Sequence, residues 1–254
     1  MSRLLPVPVL ALLALSLPAA TFAPRPAVAA VDGNTILRAA DKRASAFEDQ
    51  SYEAVMEVYK RGTKQKTLRF HMTMKGLDKQ LIVFTAPGDV AGMKILMQDA
   101  DTLYVYSPEF KKVRRIAAHM QNQGFLGSEF TYEDMTHTLL APRFDAKFVG
   151  KKGSETTLVL TPKQGTHSTY AKLEVVIDAR FGGVTKIRYF DTAGNVVREQ
   201  IREDWKKVGG VPMPMRITMR NLKTGNETVI RLQNVRVNQG VTDELFSRRT
   251  LMRG

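Results

Sequence analysis

Between Lys66 and Lys75 apolar and polar residues alternate without interruption, Leu68, Phe70, Met72 and Met74 against Thr67, Arg69, His71, Thr73 and Lys75. A period of two places the apolar set on one face of a β-strand and the polar set on the other. Tyr52, Ala54, Met56 and Val58 repeat the pattern upstream, and Arg61-Gly62-Thr63 is the turn between the two strands. Further strands are predicted at about 80–86, 92–98, 102–107 and 111–116. After Pro142 the alternation resumes at about 144–151, 156–161, 170–178, 184–190, 196–205, 213–221 and 227–237. Turns punctuate this second run at Phe181-Gly182-Gly183, Ala193-Gly194-Asn195 and Thr224-Gly225-Asn226. Val211, Met213, Met215, Ile217 and Met219 form another one-sided apolar face.

Two stretches depart from this period. Asn34 to Phe47 carries Ile36, Leu37, Ala40, Ala44 and Phe47 at helical spacing, with Asn34 as the expected N-cap. The other is Gln123 to Pro142, QGFLGSEFTYEDMTHTLLAP, in the middle of the chain. Its glycines, Gly124 and Gly127, flank Phe125 and Leu126. Tyr132, Met135, Leu139 and Leu140 then recur at i, i+3, i+7 and i+8, with Glu133, Asp134, His137 and Thr138 on the opposite side. Thr131-x-x-Asp134 reads as a capping box, and Pro142 stops the helix. Thr242 to Phe246 reads as a closing turn of helix.

Around a dozen short strands at hairpin spacing, with one polar face and few helices, predict an antiparallel sheet curling towards a barrel. The chain has no linker rich in proline, glycine or serine and no repeat, so one domain is expected. A large one-faced sheet must be covered, because full burial of a Leu, Met or Phe side chain contributes about 1.5–3 kcal/mol. The helix at 34–47 and the 123–142 segment are the available covers. Spacing alone leaves two roles open for the second: a movable lid that bends at its glycines, or a fixed plug that completes the core. Met56, Met72, Met74, Met93, Met97, Met213, Met215 and Met219 all fall in predicted strands. Methionine is flexible and polarisable, which suits a surface that accepts irregular apolar partners.

The first thirty residues read differently. Arg3, the apolar run Val7 to Leu17 and the site Ala27-Val28-Ala29 have the make-up of a signal peptide, residues 1–30, ahead of a single mature domain, residues 31–254. An uncleaved anchor is the alternative, but Pro6, Pro8 and Pro18 interrupt a run too short to span a bilayer comfortably. Export removes nucleic acid from the expected partners despite a net charge of +13. Without Arg3 and Arg25 the mature chain keeps 36 basic against 25 acidic residues, a net charge of +11. That excess suits transient contact with an anionic membrane surface, or serves as a solvated face. With no cysteine in the chain, disulfides, an N-terminal lipid-modified cysteine, thiol chemistry and zinc–thiolate sites are excluded. An exported domain of this kind is held by its own core.

Catalytic patterns are missing. His71, His119, His137 and His167 are scattered, and Glu133, Asp134 and His137 read as a solvated helix face rather than a metal site. Ser128 lies in G-S-E-F, not in a G-x-S-x-G elbow, and no glycine-rich phosphate loop occurs. The expectation is a protein without enzymatic activity, cofactor or metal.

Two segments carry a family resemblance. LYVYSPEFKKVRRI at 103–116, followed by GFLGSEFTYEDM at 124–135, resembles the outer-membrane lipoprotein-sorting family, the LolA/LolB-like superfamily of bacterial periplasmic carriers. The matching residues are Tyr104 and Tyr106, Lys112 to Ile116, and Gly127 to Asp134. NVRVNQGVTDELFSRRTL at 234–251 is similar to the family's C-terminal segment, so the likeness spans essentially the mature chain. The resemblance implies an incomplete antiparallel β-barrel, a curved sheet of about 11–13 strands, with a few helices covering its open hydrophobic side. It also implies a soluble periplasmic carrier of acylated cargo, lipoprotein or lipid, moving between an inner-membrane transporter and an outer-membrane acceptor. It favours the lid over the plug. The alternative function is a periplasmic lipid or lipoprotein sensor, or an accessory subunit of an inner-membrane exporter or regulator.

Candidate site residues follow from these faces. Leu68, Phe70, Met72, Met74, Met93, Ile95 and Met97 are expected to form the concave wall, and Phe125, Leu126, Phe130, Tyr132 and Met135 the underside of the lid. Each buried methylene of an acyl chain contributes roughly 0.8 kcal/mol, so a few contacts allow reversible loading. Glu133 and Asp134 are expected to pair with Arg114 and Arg115 as a latch. A surface pair of that kind would contribute little.

Overall fold

The structure, a computed structural model, describes residues 32–99, 102–117, 124–136, 139–166 and 168–252. The expected signal segment, residues 1–30, lies outside them. A helix, α1 (Gly33–Ala44), precedes six strands: β1 (Asp49–Lys60), β2 (Thr63–Lys75), β3 (Lys79–Ala86), β4 (Lys94–Asp99), β5 (Thr102–Ser107) and β6 (Lys112–Ile116). Seven more follow: β7 (Phe144–Lys152), β8 (Glu155–Pro162), β9 (Lys172–Asp178), β10 (Gly183–Phe190), β11 (Val196–Val208), β12 (Val211–Asn221) and β13 (Glu227–Val237). Between the two runs, the described residues include a 3-10 turn (Phe125–Gly127) and a short helix, α2 (Tyr132–Thr136); a 3-10 turn (Asp243–Phe246) and α3 (Arg248–Met252) end the described chain.

All thirteen strands form one antiparallel sheet, ordered β6-β5-β4-β3-β2-β1-β13-β12-β11-β10-β9-β8-β7. Each run is therefore a meander of neighbouring hairpins, and the two meanders join where β1 pairs with β13, with Met56 opposite Ile230 and Ala54 opposite Leu232. β6 and β7 are the two free edges of the sheet. The barrel is incomplete, as expected. This topology gives the central segment its position: the connection from β6 to β7 must pass from one edge to the other across the open side.

Alternation along the strands decides what faces inward. Leu68, Phe70, Met72 and Met74 of β2, Met56 of β1, Ile82 and Phe84 of β3 and Ile95 and Met97 of β4 are buried in one cluster with Leu158 and Leu160 of β8 and Val175 of β9. The outer face is not polar throughout. Leu81 and Leu96, opposite one another on β3 and β4, point the other way and are covered by Phe246 and Leu251 of the C-terminal segment. Thr242 to Phe246 is thus a helical turn as expected, and its task is to cap this second cluster.

α1 lies against β7, β10 and β12. Its N-cap is Asp32, not Asn34: the Asp32 carboxylate accepts from the amides of Asn34 and Thr35, both at 3.1 Å. Asn34 is turned to another use, its Oδ1 accepting from the Ala146 amide of β7 at 2.8 Å. A Cβ on neighbouring Gly33 would stand 2.4 Å from the Ala146 carbonyl oxygen, so only glycine lets the helix come this close to the strand.

Candidate functional site

The β6–β7 connection closes the mouth of the sheet with its apolar side chains. Phe125 is fully buried, its ring 5.8 Å from that of Phe84 and 5.2 Å, edge-on, from that of Tyr132. Phe130 and Met135 are buried, and Leu126 and Tyr132 pack half-buried on the same cluster. That cluster also contains Leu68, Phe70, Met72, Met74, Ile95 and Met97, with Met93 partly buried at its margin. The structure therefore brings every candidate wall and lid residue together.

The helix in this segment is shorter than its periodicity predicts. α2 ends at Thr136, residues 137–138 lie outside the described residues, and Leu139 and Leu140 are not helical. Leu140 starts a turn into β7 instead, accepting at its carbonyl from the Arg143 and Phe144 amides. The capping box is present: the Thr131 amide donates to Asp134 Oδ2 at 2.8 Å, and the Asp134 amide to Thr131 Oγ1 at 3.0 Å.

Polar ties fasten the cover to both meanders. Lys66 of β2 donates to the Leu126 carbonyl, at a point where Leu126 holds a left-handed φ of 49°. For a residue other than glycine that conformation costs about 1–2 kcal/mol, which the surrounding contacts offset. The Glu129 amide donates to Thr228 Oγ1 of β13 at 2.9 Å, and Asn221 Nδ2 of β12 to the Glu129 carboxylate at 2.9 Å. At the far end, Asp41 of α1 accepts from the Leu140 and Ala141 amides at 2.9 and 2.6 Å. Burial pushes the Asp41 carboxyl above its ordinary value, and these two amides pull it back.

The latch differs from its expected form. Asp134 pairs with Arg198 of β11, Nη2 to Oδ2 at 2.6 Å, with 9% and 8% of the two side chains exposed. Arg198 also donates to the Glu129 carbonyl and the Tyr170 hydroxyl, and its guanidinium lies over the Tyr189 ring at 5.2 Å. Burial opposes the Arg198 charge, yet the Asp134 carboxylate and the two phenols hold its pKa above the ordinary value. Arg114 and Arg115 stand exposed on edge strand β6 and form no ion pair among the described residues. The physical reason is topological: α2 has already crossed to the β11 side of the mouth. The Glu133 side chain lies outside what the structure describes.

Beside this packed region the apolar interior is not filled. A cavity of about 150 Å³ lies between the end of α1 and strands β1, β2 and β10–β13, lined by Tyr52, Met74, Val184, Trp205, Met213, Pro214, Ile217 and Leu232, with Arg43 and Arg202 as its cations. Of the candidate wall residues only Met74 lines it. Trp205, the chain's single tryptophan, stacks on Phe181 at 4.8 Å and 8°. A second, polar hollow of about 50 Å³ lies next to it, lined by Asp134, Tyr170, Tyr189, Gln200 and Arg202 among others. Sequence reasoning missed this region because IREDWKK at 201–207 reads as a polar strand. The one available signal was a lone tryptophan, which the β11–β12 register sets opposite Pro214.

An open antiparallel barrel whose edge-to-edge connection seals an apolar interior is the LolA-like fold. Among the solved structures similar to it are a DUF1329 family protein from Desulfovibrio piger (25% identity, TM-score 0.80, 86% of this chain and 97% of that one); an outer membrane lipoprotein-sorting protein domain from Vibrio parahaemolyticus (23%, TM-score 0.78, 87% and 98%); and a LolA superfamily protein from Nitrosomonas europaea (18%, TM-score 0.71, 87% and 100%). No curated protein matches the chain. Residues 76–253 match a family model described as that of an uncharacterized protein, and the chain belongs to that family.

Proposed function

We propose that the protein is a carrier that takes the acyl chain of a lipid or lipoprotein into its barrel and shields it from water between two membranes. The observation that carries this reading is the seating of Phe125, Phe130 and Met135 on the apolar wall by a connection that belongs to neither sheet edge. Such a cover shields a surface that cargo would otherwise occupy, and it is held by a few separable polar ties rather than by sheet hydrogen bonds. The packed wall and the 150 Å³ cavity correspond to a closed cover. A dry cavity of about that size holds a molecule like benzene, so a long acyl chain enters only when the cover yields. The fold shared with a lipoprotein-sorting domain supports the same reading, and with it a periplasmic setting. The basic excess of the mature chain supports brief encounters with anionic leaflets at either end of the route.

Purification from periplasm without detergent, solvent extraction and mass spectrometry of the extract test the proposal. A stoichiometric acylated species is expected. Empty extracts, together with no uptake of a fluorescent fatty-acyl probe, would make residues 124–141 a plug and end the carrier reading.

A further inference from the structure

The apolar cavity has an electrostatic character that an acyl chain alone does not need. Its walls carry two arginines, Arg43 and Arg202, and no carboxylate. Neither arginine belongs to an ion pair among the described residues. Arg202 reaches inward from β11, its Nε donating to Gln200 Oε1 at 2.9 Å, and it lines both the apolar cavity and the polar hollow behind it. The carboxylate that acts on it most is Asp41, whose Oδ2 is occupied by two backbone amides. Tyr52 adds a phenol that lines the same cavity and makes no hydrogen bond among the described residues. A half-buried guanidinium held by one neutral amide side chain is left with donors that an anion would complete.

We propose that this cavity binds an amphiphile with an anionic head, a carboxylate or phosphate seated on Arg202 and its chain running along Met74, Met213 and Trp205. The inference rests on the carrier reading and narrows its cargo to acyl compounds that bring a negative charge inside with them. Carboxylate and phosphate both match the fork of guanidinium donors, so either headgroup fits the geometry. Gln200 fixes the guanidinium from behind and leaves its Nη donors for the ligand. Arg43, exposed at the end of α1, attracts the head to the entrance.

Trp205 supplies the readout, since the chain has no other tryptophan. The delipidated protein is titrated with dodecanoate, dodecyl phosphate and neutral dodecanol, and with acetate and inorganic phosphate as heads without chains. Both charged amphiphiles should bind roughly tenfold or more tighter than the alcohol, the strength of a charge-assisted hydrogen bond. Arg202→Gln should abolish that preference while leaving dodecanol binding unchanged; Arg202→Lys should restore part of it. Arg43→Gln, at an exposed position, should weaken the charged ligands only modestly. Equal binding of charged and neutral chains to the wild type would overturn the anionic head and leave the carrier intact. Tight binding of acetate or phosphate alone would make this an ion site and overturn the amphiphile. No response to any chain would overturn this inference and the carrier reading together.

Discussion

Arg198 of β11 and Asp134 of α2 meet at 2.6 Å with both side chains almost wholly buried, which ties the cover to the second meander. Removing one partner leaves the other charge buried and unpaired, at a cost of about 3–5 kcal/mol. Asp134→Ala and Arg198→Ala should each lower stability by about that amount in urea unfolding. Arg198→Met combined with Asp134→Leu should cost much less than the sum of the two. Hydrogen exchange should separate a latch from general support: in either single variant, amides of 124–136 should exchange faster while those of β1 and β2 keep their protection.

Arg114 and Arg115 give the converse prediction. Both are exposed and unpaired among the described residues, so Arg114→Ala and Arg115→Ala should change stability by no more than about 0.5 kcal/mol. Acyl-probe loading and release should match the wild type. A loss of loading in either variant would return the latch to β6.

Phe125 is the cover's deepest anchor, set between Phe84 and Tyr132. Phe125→Ala should destabilise the protein by about 3–5 kcal/mol in equilibrium unfolding. The space it vacates adjoins the wall, so the same variant should take up an acyl probe faster than the wild type. Destabilisation without faster uptake would mark Phe125 as part of a fixed core.

The seam between the two meanders predicts a pH dependence. Glu57 of β1 accepts from Arg231 of β13 and from Lys64 of β2 at 3.0 Å, and these hydrogen bonds hold its carboxyl at about 2, below its ordinary 4.5. A depressed pKa adds stability that is fully present above the unfolded value and lost as pH falls through the folded one. Glu57→Gln cannot titrate. The stability difference between wild type and variant should therefore be largest above pH 4.5 and shrink towards pH 2. A constant difference across urea unfolding at these pH values would contradict the assignment.

What the sequence made visible follows the reach of its signals. A period of two reports each strand by itself, and every predicted strand is found, because one-faced strands need only local alternation to declare which side is buried. The capping box at Thr131 and Asp134 was legible for the same reason, its partners being three residues apart. Asn34 was a sound N-cap by residue type, but Asp32 lay two positions earlier and took the role. Leu139 and Leu140 continued a helical spacing but are not helical, and Asp41, far away in sequence, claims the Leu140 and Ala141 amides instead. The Asp134–Arg198 pair and the Arg202 cavity depend on which strand lies beneath the cover, and that is set by the order of thirteen strands rather than by any neighbouring residue. Proximity along the chain favoured Arg114 and Arg115; proximity in the fold favours Arg198.

A chain without cysteine allows a clean test of whether the cover moves. Glu129 and Asn221 touch across the cover and β12 at 2.9 Å, so Glu129→Cys with Asn221→Cys places two thiols that a short bis-maleimide can join. Uptake of a fluorescent hexadecanoyl probe would then be measured in the same variant before and after joining. The unjoined protein should load and the joined protein should not. Equal loading in both forms would contradict a moving cover, and would show that acyl chains reach the interior without the cover opening.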